Sequence, residues 1–281
     1  MQKETGKLFI VSTPIGNLED ITFRAVDTLK NVDLILAEDT RHSAKLISQF
    51  QISKKLIAFH DHNEKRQYIK IIEKLKGGSN IALISDAGTP LINDPGFNLV
   101  RSAKQENINV VPIPGACSPI AALSASGLPA NFFTFCGFVP SKDNERIRFF
   151  EKMTKSHATS IFFESPHRIL KTMNVLIKII ENDRKVCLAK ELTKTYEKIV
   201  TGNAQEIASF LNESPQNTKG EFVILLEGAK NEKVEFSNDE AKIYRILYQE
   251  VGISKGAKII SSIFNIEKKI CYQRLLDLKN D

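Results

Sequence analysis

Residues 81–96 read IALISDAGTPLINDPG, and this stretch is the most informative about the fold. Four consecutive apolar residues, Ile81–Ile84, are typical of a strand that is covered on both of its faces. The twelve residues Ser85–Gly96 contain two Gly, two Pro and two Asp, a composition that predicts a loop. A buried strand that ends in such a loop indicates an α/β fold.

Similar short apolar runs recur along the chain and alternate with helical patterns. In Glu64–Lys76, for example, Ile69, Ile72 and Leu75 lie near one helical face, and Gly77 follows as a stop. This alternation predicts an α/β fold with largely parallel sheets. The predicted strands are Leu8–Ser12, Val32–Ala37, Leu56–Phe59, Ile81–Ser85, Val110–Ile113, Phe132–Val139, Ser160–Phe163, Val186–Ala189 and Phe222–Leu226.

Two segments without a clear pattern divide the chain. One is PIPGACSP at 112–119, and the other is the polar segment Asn231–Asn238. The second is followed by a helical tail, in which Ile243, Ile246 and Leu247 share one face and Gly252 is a stop. Ser254–Phe264 and Glu267–Leu278 complete three short helices. The predicted domains are an N-terminal α/β domain at 1–114, a C-terminal α/β domain at 115–232 and a three-helix tail at 238–281.

Composition narrows the class of protein. The chain has 281 residues, with 42% hydrophobic and 26% charged residues, which excludes an intrinsically disordered protein. No apolar run reaches the ~18 residues of a membrane span, and the first residues show no export signal, so we expect a cytoplasmic protein. Cys117, Cys136, Cys187 and Cys271 are widely scattered, so we expect buried free thiols and no metal site.

The chain is basic, with 39 Lys and Arg against 33 Asp and Glu. The excess is greatest at 141–198, which holds 13 basic and 8 acidic residues. Such a distribution suits a polyanion such as RNA, although an ordinary basic surface explains it as well.

Polar residues follow several predicted strands, at the edge where open parallel sheets bind ligands. In the first half these loops are STPIGN at 12–17, EDTRH at 38–42 and SDAGTPLINDPG at 85–96. Asp86 could accept hydrogen bonds from ribose hydroxyls. Neither G-x-G-x-x-G nor a P-loop is present, which disfavours dinucleotide and P-loop sites.

The second half contributes ESPHR at 164–168, KELTK at 190–194 and KGE at 219–221. Glu164, His167 and Arg168 at a helix start suit anion binding or acid–base chemistry. Helix capping explains part of this pattern, and His60 and His62 are interpreted as solvated turn histidines. Neither H-E-x-x-H nor G-x-S-x-G occurs.

Together these loops resemble a known family. The segments STPIGNLEDIT, AEDTRHS, SDAGTPLINDPG, PIPGACSPIAALSASGLP, GFVPSK, FFESPHRI, KELTKTYE and KGEF occur in the order and spacing of the ribosomal RNA small subunit methyltransferase I family. That family belongs to the tetrapyrrole-methylase superfamily of S-adenosylmethionine enzymes, and the resemblance covers nearly the whole chain. The superfamily's G-x-G-D-P loop is replaced here by Ser85–Pro90, which argues against a tetrapyrrole substrate.

The resemblance implies a fold and a reaction. It implies two α/β domains with S-adenosylmethionine in the cleft between them, a small helix-turn-helix-like C-terminal domain and a homodimer. The implied reaction is methylation of the ribose 2′-hydroxyl of a cytidine in the decoding region of 16S ribosomal RNA, in the assembled 30S subunit.

The resemblance also assigns residues. The implied cofactor-lining residues are Pro14, Asp86, Ala87, Gly88, Ser118, Phe163, Leu192 and Gly220. Candidates for a general base are Glu38, Asp39, His42, Glu164 and Glu191, and the sequence does not choose among them. The cations expected on RNA are Arg41, Arg168 and Lys194, together with Lys268 and Lys269 in the tail.

Two other functions remain open at this stage. One is a small-molecule methylase acting on a tetrapyrrole, which the basic charge and the helical tail disfavour. The other is a non-catalytic RNA-binding assembly factor, which would have no affinity for S-adenosylmethionine.

Overall fold

Five parallel strands form the first sheet of the computed structural model, which describes residues 5–229, 238–264 and 268–280. Their order is β3-β2-β4-β1-β5. The strands are β1 (Lys7–Val11), β2 (Leu34–Ala37), β3 (Leu56–Ala58), β4 (Ile81–Ile84) and β5 (Asn109–Ile113), and the helices between them are α1 (Phe23–Asn31), α2 (Thr40–Gln49), α3 (Asp61–Lys76) and α4 (Phe97–Gln105). These five strands confirm the prediction for the first half, which is called the first lobe below.

Both faces of this sheet are covered. Leu8, Leu36 and Leu83 pack with residues of α3 and α4 in one buried cluster. Val11 and Ile84 belong to a cluster on the opposite face with residues of α1 and α2. Because neither face meets water, the strands are apolar at consecutive positions, and for this reason they could be recognised in the sequence.

The second sheet is mixed, so the prediction of a largely parallel sheet is wrong for the second half. Its order is β6-β7-β10-β8-β9, and only β6 and β7 pair in parallel. The strands are β6 (Phe133–Phe138), β7 (Thr159–Glu164), β8 (Val186–Lys190), β9 (Lys198–Gly202) and β10 (Phe222–Leu226), with helices α5 (Ser118–Ala125), α6 (Asp143–Met153), α7 (Ile169–Ile179) and α8 (Ala204–Glu213). This second lobe carries one strand, β9, that was not predicted, because it is a half-exposed edge strand without an apolar run.

The direction of β10 determines which loops meet. β10 lies between β7 and β8 and runs antiparallel to both, so that Phe222 pairs with Glu164 on one side and with Lys190 on the other. The loop before β10 therefore lies beside the loops that follow β7 and β8. A continuous apolar run shows that a strand is covered on both faces, but it does not show the direction of the strand.

The C-terminal helices form a separate unit. The chain divides into two compact units, through Ala229 and from Lys230. The second unit contains α9 (Asn238–Phe264) and α10 (Lys268–Asn280), and α9 is broken at Gly252, where φ is 70° and ψ is 173°. The three predicted helical segments and the stop at Gly252 are thereby confirmed. Of the predicted linker 231–238, residues 231–237 lie outside the described residues, as does Glu267.

The buried face of this unit differs from the predicted one. Ile243 and Ile246 are 37% and 49% exposed, whereas Tyr244 is buried with Ala257 and Cys271. The Tyr244 hydroxyl donates a hydrogen bond to Cys271 Sγ at 3.8 Å. Leu247, the third residue of the predicted face, does pack against this core, but the prediction was wrong for the two isoleucines. It was based on aliphatic residues, and a tyrosine can be buried equally well when its hydroxyl has a partner.

The predicted boundary at 114/115 lies between the last residue of β5 and the first of α5. Both lobes nevertheless belong to one compact unit. Cys187 and Cys271 are buried free thiols, while Cys117 and Cys136 are half-buried. In the described part of the chain, no helix is long and apolar enough to cross a membrane.

Candidate functional site

Three loops of the first lobe are tied together at the carboxyl edge of its sheet. Thr13 and Gly88 exchange two backbone hydrogen bonds, of 2.8 and 3.1 Å, which join the loops after β1 and β4. The Thr89 hydroxyl is 2.9 Å from the Ser12 hydroxyl and donates to the carbonyl oxygen of Ala116 at 3.0 Å. The predicted residues Pro14, Asp86, Ala87, Gly88 and Ser118 are therefore brought together.

Two loops of the second lobe are joined in the same way. The Glu191 N–H donates to the carbonyl oxygen of Glu221, and the Glu221 N–H donates to Glu191 Oε1, both at 2.9 Å. The intervening Gly220 has a φ of 100°, and a Cβ there would lie 2.6 Å from the Glu191 side chain. The role of Gly220 is thus to let the two loops approach each other.

The two sets of loops meet at Gly16. A Cβ on Gly16 would lie 2.5 Å from Lys194 Cγ and 3.0 Å from the carbonyl oxygen of Leu192. The next residue, Asn17, donates its N–H to the Thr193 hydroxyl at 3.0 Å. The first lobe therefore contacts the second lobe directly through the loop after β1.

A cavity of about 360 Å³, called the interlobe cavity below, opens beside this contact. Four of the predicted cofactor-lining residues face it, namely Ala87, Ser118, Phe163 and Leu192. A smaller cavity of about 300 Å³ shares Ala87 with it and is lined by Pro14 and Asp86. Gly88 and Gly220 line neither of these two cavities. Their loops hold the lining residues in position.

Phe138 is a lining residue that the sequence reasoning missed. It lies at the end of β6, is 53% exposed and packs against Phe163 with ring centroids 5.2 Å apart. Phe135 contacts the same ring at 5.1 Å. The only signal in the sequence was the aromatic composition of β6, which equally indicates a core strand.

Glu164 is a buried carboxylate that is fully hydrogen-bonded. It is 2% exposed and lines the interlobe cavity. Its Oε1 accepts from the Ser165 N–H at 2.6 Å and from the Arg168 guanidinium at 2.8 and 2.9 Å, and its Oε2 accepts from the Thr172 hydroxyl. Because both oxygens already have donors, this carboxylate is better suited to hold the loop than to take a proton.

Asp39 is occupied by its neighbour Arg41. Its Oδ1 caps helix α2 by accepting from the Arg41 N–H at 2.8 Å, and its Oδ2 lies 2.8 Å from Arg41 Nη2. The hydrogen bonds from Arg41 hold the pKa of Asp39 far below its usual value. The Asp39 N–H in turn donates to Asp86 Oδ1 at 3.0 Å. Asp39 therefore positions Asp86 and is a weak base.

Glu191 is also ion-paired. Burial acts to raise its pKa, but the hydrogen bond from the Glu221 N–H and the Lys194 ammonium at 3.1 Å outweigh it, so the pKa of Glu191 is lowered. Lys194 lies 3.0 Å from Glu221 Oε2 as well. Burial acts to lower the pKa of Lys194, but these two carboxylates raise it overall, so the cluster stays charged at neutral pH.

His42 lies exposed in the first turn of α2 and lines the smaller cavity, near Asp86. Glu38 is half-buried just after β2. The described residues include no group of three or more His, Cys, Asp or Glu side chains placed to hold a metal ion. The His42 imidazole therefore lies at the edge of the predicted cofactor site, beside Asp86.

Three of the cations expected on RNA are paired with carboxylates. Arg41 is 90% exposed and pairs with Asp39, Arg168 pairs with Glu164, and Lys194 pairs with Glu191 and Glu221. Lys268 and Lys269 are exposed on α10, in the separate C-terminal unit.

Comparison with known proteins gives matches over most of the chain. Residues 7–208 match the family described as Tetrapyrrole (Corrin/Porphyrin) Methylases. The chain is 46% identical over 274 residues to "Ribosomal RNA small subunit methyltransferase I" of Pasteurella multocida, covering 97% of this chain and 98% of that protein. The protein of the same name from Escherichia coli O157:H7 is 43% identical, covering 97% and 95%.

Solved structures share the fold at low identity. Uroporphyrin-III-C-methyltransferase from Thermus thermophilus has a TM-score of 0.56 at 18% identity, covering 79% of this chain and 94% of that one. Diphthine synthase has a TM-score of 0.58 at 14% identity, covering 79% and 90%. The chain thus belongs to the ribosomal RNA small subunit methyltransferase I family of tetrapyrrole-type methylases, and S-adenosylmethionine is its cofactor.

Proposed function

We propose that this protein transfers a methyl group from S-adenosylmethionine to the ribose 2′-oxygen of a cytidine in 16S ribosomal RNA. The observation that carries the proposal is the interlobe cavity, because its walls are the same loops that carry the family's motifs. The names of its relatives support small-subunit ribosomal RNA as the substrate. The assembled 30S subunit, a homodimer and a cytoplasmic location belong to the same proposal.

The cavity fits the cofactor in size and in chemistry. Its volume of about 360 Å³ lies in the usual range for small-molecule sites, and Phe163 and Leu192 offer an apolar surface for a flat base. Asp86, fixed by the Asp39 N–H, has a second oxygen with which to accept from ribose hydroxyls. We assign cofactor binding to Pro14, Asp86, Ala87, Gly88, Ser118, Phe163, Leu192 and Gly220.

The bound cofactor supplies a methyl group activated on a sulfonium. The remaining task of the chain is to align the acceptor, to exclude water and to receive the proton of the hydroxyl. Among the five candidates for the base, Asp39, Glu164 and Glu191 already accept several hydrogen bonds. Glu38 lines neither cavity, so we assign the role of proton acceptor to His42, which is exposed and lines the smaller cavity beside Asp86.

Arg168 and Lys194 have a positioning role in this proposal. Each holds a carboxylate of the second lobe, and their remaining N–H groups can still bind a phosphate. Arg41 projects into solvent, and Lys268 and Lys269 provide further positive charge on α10. These five residues are the RNA contacts that we propose.

The test is methylation of 30S subunits purified from a strain that lacks this protein, followed by mass mapping of the RNA. We expect one ribose methylation at a cytidine that depends on added S-adenosylmethionine. Binding of the cofactor without transfer to RNA would favour a small-molecule methylase. Binding of RNA without affinity for S-adenosylmethionine would favour an assembly factor.

A further inference from the structure

A third cavity, of about 530 Å³, lies next to the proposed active site but outside it. It is lined by the end of β8, the start of β9 and the loop before β10. Gly220 lines it, and the next residue, Glu221, lines the interlobe cavity. The two cavities are therefore neighbours separated by the Glu191 and Gly220 loops. The third cavity is called the flanking cavity below.

Two lysines lie side by side in the flanking cavity. Lys190 on β8 and Lys198 on β9 are directly opposite in the antiparallel ladder, so their side chains leave the same face of the sheet. Like charges in this arrangement destabilise a sheet. A third lysine, Lys219, lines the same cavity from the loop before β10.

Lys190 is nine-tenths buried and lacks a partner. It is 6% exposed, and its ammonium group forms no ion pair or hydrogen bond with any residue in the described part of the chain. Lys190 lines the flanking cavity, so an anion bound there would give its ammonium group a partner.

The flanking cavity also contains two carboxylates, those of Glu191 and Glu197. Glu191 Oε1 already accepts from Lys194 and from the Glu221 N–H. Glu197 Oε2 accepts from the Thr193 N–H at 2.6 Å. Both side chains shape the loop between β8 and β9, and the three lysines Lys190, Lys198 and Lys219 outnumber these two carboxylates in the cavity.

An aromatic ring lines the same cavity. Tyr196 is 73% exposed, so its ring is accessible to a ligand in this cavity. Exposed aromatic rings beside cations are the usual platform for bases of single-stranded RNA. A phosphate site beside a stacking ring matches one nucleotide.

We propose that the flanking cavity binds a nucleotide adjacent to the methylated cytidine, with its phosphate at Lys190, Lys198 and Lys219 and its base stacked on Tyr196. This proposal rests on the proposed function, which makes RNA the substrate of the neighbouring site. It concerns residues that the sequence reasoning did not assign to RNA.

The test measures binding of a fluorescein-labelled single-stranded RNA of about a dozen nucleotides with the target sequence, by anisotropy at several salt concentrations. We expect K198A and K219A each to reduce the slope of log K against log salt by about 0.7, as for one lost phosphate contact. Y196A should weaken binding about tenfold, whereas Y196F should bind as the parent does. K190M should reduce the slope by a similar amount, because it removes the same charge from the cavity wall.

The matched control is K104A, which removes an equally exposed lysine from α4 of the first lobe. It should leave the slope unchanged, and every variant should bind S-adenosylmethionine as the parent does. If a variant has a lowered melting temperature, its binding result is not used. The proposal is then judged on the variants at the exposed positions 196, 198 and 219. Parental affinity and slope in Y196A, K198A and K219A would overturn the proposal.

The two proposals can fail separately. If the variants lose RNA affinity but the parent methylates no cytidine ribose, the flanking cavity stands and the proposed reaction is wrong. If the parent methylates 30S subunits and the variants retain its KM and salt slope, the reaction stands and the flanking cavity is wrong.

Discussion

Hydrogen-bond partners distinguish the candidate catalytic residues from one another. Glu164, Asp39 and Glu191 looked equivalent as acidic residues after strands, yet each accepts several hydrogen bonds in the folded chain. A carboxylate whose charged form is already stabilised in this way is a poorer base. His42, which lines the smaller cavity, remains as the candidate for the base.

Replacing His42 by Ala should therefore lower the rate of methyl transfer, by about 10²- to 10⁴-fold if it acts as a general base. Cofactor affinity, measured by titration calorimetry, should remain within about twofold of the parent's. His167→Ala is the matched control, since this histidine is also exposed and lines neither cavity. A single-turnover rate that His42→Ala leaves unchanged would contradict the assignment.

Arg168 and Arg41 should differ in their effect on stability. Arg168→Ala leaves the buried Glu164 without its cation and should lower the free energy of unfolding by about 3 kcal/mol. Arg41→Ala removes a solvent-exposed pair, which is screened by water, so the free energy of unfolding should change much less. Urea unfolding of both variants measures the difference, and equal values would contradict the burial of Glu164.

The Asp39 carboxylate should make a pH-dependent contribution. Its pKa is lower in the folded protein than the value of about 3.9 expected when unfolded, so its charge stabilises the fold above that pH. The contribution is lost as the pH falls towards the folded pKa. Asp39→Asn should therefore have a slightly lower melting temperature than the parent at pH 7, and the gap should close below about pH 4. A gap that is constant from pH 7 to pH 3 would contradict this.

At the scale of elements, the site is made by loops that lie far apart in the sequence. The loops after β1, β4 and β5 are joined by backbone and hydroxyl hydrogen bonds. The loops after β7 and β8 meet the one before β10 only because β10 lies between these strands. Gly16 is the point where the two sets touch.

Gly16→Ala should separate the lobes at this point. Its Cβ would overlap Lys194 Cγ, and overpacking of this kind usually costs about 1–3 kcal/mol, so we expect cofactor affinity to fall about tenfold. Gly77→Ala is the control, because it adds the same methyl group at the end of α3, away from either cavity. The same cofactor affinity in both variants would show that the contact at Gly16 is unimportant.

At the scale of the whole molecule, the chain consists of two compact units, and all ten described strands belong to the first. The core of the second unit is small, being made of Tyr244, Ala257, Ile260, Cys271 and Leu275. A core of this size is marginal in isolation. We therefore expect the second unit to be less stable than the first when it is produced alone.

Ending the chain after Ala229 should leave cofactor binding near the parent value, because every residue of the interlobe cavity is retained. If Lys268 and Lys269 contact RNA, the KM for 30S subunits should rise several-fold while kcat changes little. Steady-state methylation by both forms measures this. Full activity of the shortened protein would remove the tail from the RNA-binding surface.

Local sequence patterns were sufficient to predict the strands of the first lobe, to recognise the family and to find most of the loops that line the interlobe cavity. The central strands β2 and β4 are buried at every position, and turn residues such as Gly88 and Pro90 follow β4 directly, so burial and turn chemistry are both visible in the sequence. The motifs at 85–96 and 164–168 lie within single loops, so their residues could be found together without knowing the fold.

Long-range pairing could not be inferred in this way. The antiparallel insertion of β10, the opposition of Lys190 and Lys198, and the burial of Tyr244 depend on which segments become neighbours. The same holds for the hydrogen bond that Glu191 accepts from Glu221, a residue 30 positions away. The partners of Asp39 and Glu164 lie within eight residues of them in the sequence, but only the folded geometry shows that these side chains meet and that the carboxylates are therefore not free to react.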